Sequence, residues 1–114
     1  MGPKRSLKRM GTSRRAKALA LLGIAQRAGA VLKGTDATRR GLRKGEARLV
    51  VLAEDGSETQ RNKVLPLARA KEVPWVVFGD RAELGAAVGS GPLTVVGVTQ
   101  LSFAKALAEQ LGRD

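Results

Sequence analysis

This chain has no cysteine, no histidine and no tyrosine, and three aromatic residues in 114: Trp75, Phe78 and Phe103. Without Cys and His there is no zinc site of the Cys/His kind, no thiol nucleophile, no Ser-His-Asp triad and no disulfide. Any catalysis would fall to Lys, Asp, Glu, Ser or Thr, and neither a catalytic residue, a metal nor a cofactor is expected. A chain without cysteine fits a reducing cytoplasm, the expected location. So few aromatics argue against binding that stacks several bases on aromatic platforms. Trp75 and Phe78, both inside an apolar run, are expected in the core.

Long hydrophobic runs are missing too. No segment approaches the ~20 apolar residues of a membrane span, so no membrane partner is expected. The apolar run from Ala18 to Ala25 behind Ser13-Arg14-Arg15 has the order of an export signal. It is short, it leads into Gln26-Arg27, and its removal would cost the domain an amphipathic helix. It reads as part of the fold.

Acidic residues are scarce in the first half. Residues 1–17 carry seven basic and no acidic residues, residues 27–48 seven against two, and residues 49–114 seven against eight, within a net charge of +11. Charge this uneven points to an anionic partner on one side, with nucleic acid first and an acidic membrane surface second. The plainer alternative is a solvated basic surface without a specific partner.

At this length the chain makes one domain, expected over 16–114, behind a disordered basic tail at 1–15. Leu19, Leu22, Ala25 and Ala28 repeat at helical spacing from Ala16 to a stop at Gly29. Ala30-Val31-Leu32 is a short extended piece, and a basic helix follows from Thr35 to Gly45, with Thr35 or Asp36 as its cap. Arg48 to Ala53 and Trp75 to Phe78 read as strands buried on both faces. Between them Ser57 or Thr59 opens a helix to Lys71, in which Pro66 predicts a kink or a late start. Asp80 caps a helix from Arg81 to Val88, Gly89 to Pro92 forms a loop, Leu93 to Thr99 a strand and Ser102 to Leu111 a closing helix. Helices alternating with strands predict an α/β fold, a three-layer α/β/α sandwich.

The segment from Lys33 to Lys44 carries the chemistry. A helix starting after Gly34 offers unpaired N–H groups, and glycine allows close approach of an anion. The 100° step per residue sets Arg39, Arg40, Arg43 and Lys44 on one flank, with Thr38 and Leu42 turned the other way. The competing reading is an ordinary capped helix with a charged solvent face. Gly29 to Thr35 is not a P-loop, because no Lys precedes Thr35 and a helix, not a strand, comes before it. Gly89 and Gly91 lack the third glycine of a dinucleotide fingerprint. Glu54-Asp55 follows a central strand, where α/β sheets place ligands. The pair could hold Mg²⁺ or act as acid and base, but a turn in which one of them caps the next helix is favoured.

Leu21-Leu22-Gly23-Ile24-Ala25-Gln26-Arg27-Ala28-Gly29, Gly34, Leu49 to Asp55, Val73-Pro74 and Glu83 to Gly89, in that order and spacing, give the chain a resemblance to a known family. It resembles the YlxQ-like bacterial branch of the kink-turn-binding ribosomal proteins, the family of L-seven-Ae and L-thirty-e. The resemblance implies an α/β/α sandwich with a small mixed sheet and no enzymatic activity. It implies an RNA-binding face made of Lys33, Gly34, Thr35, Asp36, Arg39, Arg40, Arg43 and Lys44, the loop at Glu54 and Asp55, and the loop of Gly89, Ser90, Pro92 and Leu93. Kink-turn readers of the family carry Asn, Glu and Lys where this chain has Asp36, Ala37 and Arg40. An ionised Asp only accepts hydrogen bonds, Ala reads no base edge, and Arg keeps a cation able to reach guanine O6 and N7. The expected function is therefore binding of structured RNA within a ribonucleoprotein, such as the ribosome or an RNA-processing machine, as a monomer beside other proteins of the particle. The alternatives are a protein–protein adaptor on such a particle and a Mg-dependent enzyme subdomain.

Overall fold

Leu49-Val50-Val51-Leu52 has no polar side chain to turn towards water, and it forms a strand, β2 (Leu49–Leu52), that is buried at every position. The computed structural model describes residues 2–111, with side chains from residue 14 onward. Met1 and residues 112–114, which belong to the expected tail and domain, lie outside the described residues. Around β2 the sheet runs β1 (Val31–Lys33), β4 (Val95–Val98), β2, β3 (Trp75–Val77). β2 and β3 are parallel, and β4 is antiparallel to both β1 and β2, so the sheet is mixed.

Alternation along β2 divides the core in two. Leu49 and Val51 pack with Ala18, Leu22, Leu84, Val88 and Leu107, which belong to the layer of α1 (Gly2–Arg27), α4 (Arg81–Ala87) and α5 (Leu101–Leu111) or flank it. Val50 and Leu52 pack with Leu42, Val64 and Ala68, from the opposite layer of α2 (Thr35–Arg43) and α3 (Glu58–Ala70). This is the expected α/β/α sandwich.

Four expectations change. First, the helix expected from Ala16 forms part of a longer α1, Gly2–Arg27. Second, β3 is not buried on both faces but lies at the sheet edge, behind Pro74, whose missing N–H suits an edge. Third, Trp75 is 38% exposed and Val77 51%, while Phe78 alone of that run enters the core as expected. The Arg69 guanidinium lies 5.2 Å from the centroid of the Trp75 ring, a cation–π contact on an otherwise open face. Fourth, α3 does not start late. Ser57 Oγ accepts from the Gln60 N–H at 3.3 Å, the helix begins at Glu58, and Pro66 sits on its exposed side.

The strand directions collect the functional segments. β1, β2 and β3 share one direction and β4 opposes them, so the chain leaves β1, β2 and β3 and enters β4 at the same end of the sheet.

Candidate nucleic-acid interface

At that end Gly34 opens α2 with φ 92° and ψ 173°, a backbone state that glycine occupies and other residues reach only with strain. Its N–H donates to Val95 O at 3.0 Å, which ties the helix start to β4. Neither Thr35 nor Asp36 caps the helix: Gly34 is the N-cap and no side chain bonds there. The N–H groups of the first turn are thus left for an outside acceptor, with the positive end of the helix dipole behind them.

The loop leading into β4 sits beside this helix start. A methyl group at Gly34 would meet Leu93 Cδ2 at 3.8 Å. The Gly89–Leu93 loop is held against α4, where the Ser90 N–H donates to Gly85 O at 2.7 Å and the Leu93 N–H donates to Arg81 O at 3.1 Å. Gly85 has no Cβ for a steric reason, since one would overlap the Gly91 carbonyl and lie 3.1 Å from Ser90 O. Gly89, Ser90 and Pro92 are exposed and Leu93 half-buried.

Lys33, Asp36, Arg40, Arg43 and Lys44 are exposed, while Thr38 and Leu42 are buried as their phase requires. Arg39 departs from the expected free flank: it is half-buried, and its Nε is enclosed without a partner. With 1.5 Å of rise per residue, Arg43 and Lys44 lie roughly 12–15 Å along the helix from Gly34. They form a basic strip leading away from the loops.

Glu54 and Asp55 do not act as a pair. Glu54 lies 3.6 Å from Arg15 Nη2 and borders a hollow formed with Arg14, Val77, Phe78 and Leu111, on the α1 and α5 side and away from α2. Asp55 Oδ1 accepts from the Arg81 N–H at 2.8 Å, and its other oxygen lies 3.6 Å from Arg81 Nε. Neither caps α3, contrary to expectation, because Ser57 holds that place; Asp55 instead serves the start of α4. Among the described residues no group of three or more acidic side chains could hold a metal ion.

Several contacts that shape this end have no local sequence signal. Arg61 donates to the Ala53 carbonyl, and also to Glu54 O at 3.0 Å, fastening the loop after β2 to α3. The Ser57 N–H reaches Thr94 Oγ1 at 3.4 Å. Arg15 makes two bonds to Glu83, Nε to Oε2 at 3.1 Å and Nη2 to Oε1 at 2.6 Å. Glu83 also completes a capping box with Asp80, of which the expected Asp80 cap is one half. The Arg15 bonds, then the Asp80 N–H, hold the Glu83 carboxyl below the usual carboxylate range, and the Arg15 guanidinium is pushed up in return.

A small mixed sheet between two helical layers, with loops gathered at one end beside a basic helix, defines a small sandwich protein of the ribosomal type. The chain belongs to the ribosomal protein L7Ae/L30e/S12e/Gadd45 family, whose model matches residues 16–108, and within it to the YlxQ-like branch. RNA-binding protein YlxQ of Bacillus subtilis (strain 168) is 37% identical over 91 residues, covering 80% of this chain and 91% of that protein. The Enterococcus faecium protein of the same name is 34% identical over 100 residues, covering 88% and 96%. A solved structure of a Bacillus halodurans C protein of unknown function superposes with a TM-score of 0.82 at 33% identity, over 86% of this chain and 99% of that one. The Giardia lamblia 15.5kD RNA binding protein gives 0.71 at 26% identity, over 89% and 87%. Membership in this family makes the chain a protein of the ribosomal type and not an enzyme.

Proposed function

We propose that this protein binds structured RNA with the loop-bearing end of its sheet, as a cytoplasmic component of a ribonucleoprotein. The observation that carries the reading is the uncapped start of α2 at Gly34, with the Leu93 loop against it and Arg40, Arg43 and Lys44 exposed behind it. Relatives named for RNA binding supply the class of polyanion. A phosphate or a base-edge acceptor would lie against the first-turn N–H groups, and the cations would follow the backbone. Of the three positions named above, Arg40 can donate to guanine O6 and N7 and Asp36 can accept from guanine N–H groups, while Ala37 reads no base edge. Glu54 faces α1 and contributes only through its backbone.

The test is a binding titration against a hairpin RNA with an internal loop, using Arg40→Ala/Arg43→Ala/Lys44→Ala. All three residues are exposed, so circular dichroism should stay unchanged while affinity falls. Equal affinity in a variant with an intact spectrum would assign this face to solvent. Sequencing of RNA crosslinked to the protein in cells would identify the particle.

A further inference from the structure

α2 and α3 cover the same side of the sheet. β1 and β2 run in one direction and each hands the chain to its helix at the loop-bearing end, so both helices start there. β4 sets the two starts at one level. The Gly34 N–H donates to Val95 O at 3.0 Å, and the Ser57 N–H to Oγ1 of the neighbouring Thr94 at 3.4 Å. At 1.5 Å per residue Arg39 then lies about 7.5 Å along α2 from its cap, and Lys63 about 9 Å along α3 from its own.

Packing fixes the flank on which each residue sits. In α2 a Cβ at Gly41 would overlap the Leu32 side chain of β1, while Leu42 packs with Val50, Leu52 and Val95 of the sheet. Arg39 is about 160° round the helix from Gly41, on the flank towards α3. In α3 Val64 is buried against the sheet, and Arg69 lies over Trp75 at the β3 edge. Lys63 is about 100° from Val64 and about 120° from Arg69, on the flank towards α2. Packed helices stand roughly 8–10 Å apart, so Arg39 and Lys63 border one seam from its two walls. Arg39 is half-buried with its Nε enclosed, and Lys63 is exposed. Neither has an ion-pair partner among the described residues, not even Arg39 with Asp36 one turn before it. An arginine without an acceptor, with a like charge opposite, is stabilised by an anion that pairs with both.

We infer that the seam between α2 and α3 is a phosphate-binding site, in which one phosphodiester of the bound RNA accepts hydrogen bonds from Arg39 and Lys63 together. This rests on the RNA-binding reading above and adds a site on a second helix, apart from the first turn of α2 and from the face of Arg40, Arg43 and Lys44. The planar Arg39 fork suits two oxygens of one phosphate, and Lys63 supplies a point charge from the facing wall. Enclosure of Nε restrains the Arg39 side chain before a ligand arrives, which lowers the ordering cost of binding. A phosphate carries no sequence information, so the seam sets where the strand lies and not which bases it holds.

The experiment uses the full chain and the hairpin RNA with an internal loop. Arg39→Gln and Lys63→Gln should each lose roughly five- to tenfold in affinity near physiological salt, with the log–log salt slope shallower by roughly 1. The double variant should lose little more than either single one and keep that same slope, because both residues hold one phosphate. Losses that multiply in the double variant, with twice the change in slope, overturn the shared phosphate. A scan of single methylphosphonate substitutions along the RNA should find one position that weakens the wild type and leaves the double variant indifferent. The absence of such a position overturns the site. Lys63 is exposed, so its variants test the seam even if Arg39→Gln fails to fold. Lys63→Glu sets a carboxylate opposite Arg39, so the melting temperature of the free protein should rise while RNA affinity falls below that of Lys63→Gln. A lower melting temperature in Lys63→Glu overturns the facing geometry. Wild-type affinity in Lys63→Gln, while Arg40→Ala/Arg43→Ala/Lys44→Ala still weakens binding, overturns the seam and leaves the α2 face standing. Failure of the wild type to bind the hairpin overturns the RNA reading itself.

Discussion

In the proposed interface Gly34 and Arg40 would divide the work of recognition between backbone and side chain. Gly34 holds a φ and ψ that cost any other residue about 1–3 kcal/mol. Gly34→Ala should therefore lower stability by about that much in a denaturant titration and weaken RNA binding further by displacing the first turn of α2. Arg40 is exposed and free to reach either a phosphate or a guanine. If it meets guanine O6 and N7, Arg40→Ala should erase ~1–3 kcal/mol of preference at a single base position. Equal weakening across a panel of base substitutions would mark a phosphate contact.

Among the elements, α4 acts as the bracket of the proposed interface. It carries the capping box of Asp80 and Glu83, accepts the loop through Gly85, and is joined to α1 through Arg15. Gly85→Ala drives a methyl into the Gly91 carbonyl, so the Gly89–Leu93 loop must move. The expected result is a loss of RNA affinity with helix content nearly preserved, read by binding and circular dichroism on the same sample. The Glu83 carboxyl, its pKa lowered in the fold, contributes stability that is present above the ordinary glutamate range and is lost as pH falls through the folded value. The Arg15 shift acts only at alkaline pH far from use. Thermal melts of wild type and Glu83→Gln should thus differ at neutral pH and converge as the pH drops below about 4. The ion pair is part-exposed, so the difference is about 0–1 kcal/mol, since a glutamine there can still accept from the Asp80 N–H and keep the capping box. Curves that stay parallel to the acid limit would place the stabilisation elsewhere.

For the whole molecule, charge and shape agree on one end. Lys33, Arg40, Arg43 and Lys44 are exposed on or beside α2, which starts at the loop-bearing end. A footprint of about four to six neutralised phosphates should give a log–log salt slope of roughly −3 to −5. A slope near zero in a filter-binding titration would remove electrostatics from the mechanism. The β3 edge, with Trp75 and Val77 exposed, lies apart from the basic helix.

By itself the sequence determined the alternation of elements, the burial of Leu49 to Leu52, the phase of α2 and the Asp80 cap. Each is set by local periodicity or by a residue's own hydrogen-bonding groups, and the family landmarks fixed the order of the interface segments. Only the tertiary structure decided that β3 is an edge, because an apolar run looks the same at the centre of a sheet and at its rim. Likewise it separated Glu54 from Asp55, since neighbours in a chain diverge once Arg15 and Arg81, 39 and 26 positions away, each claim one.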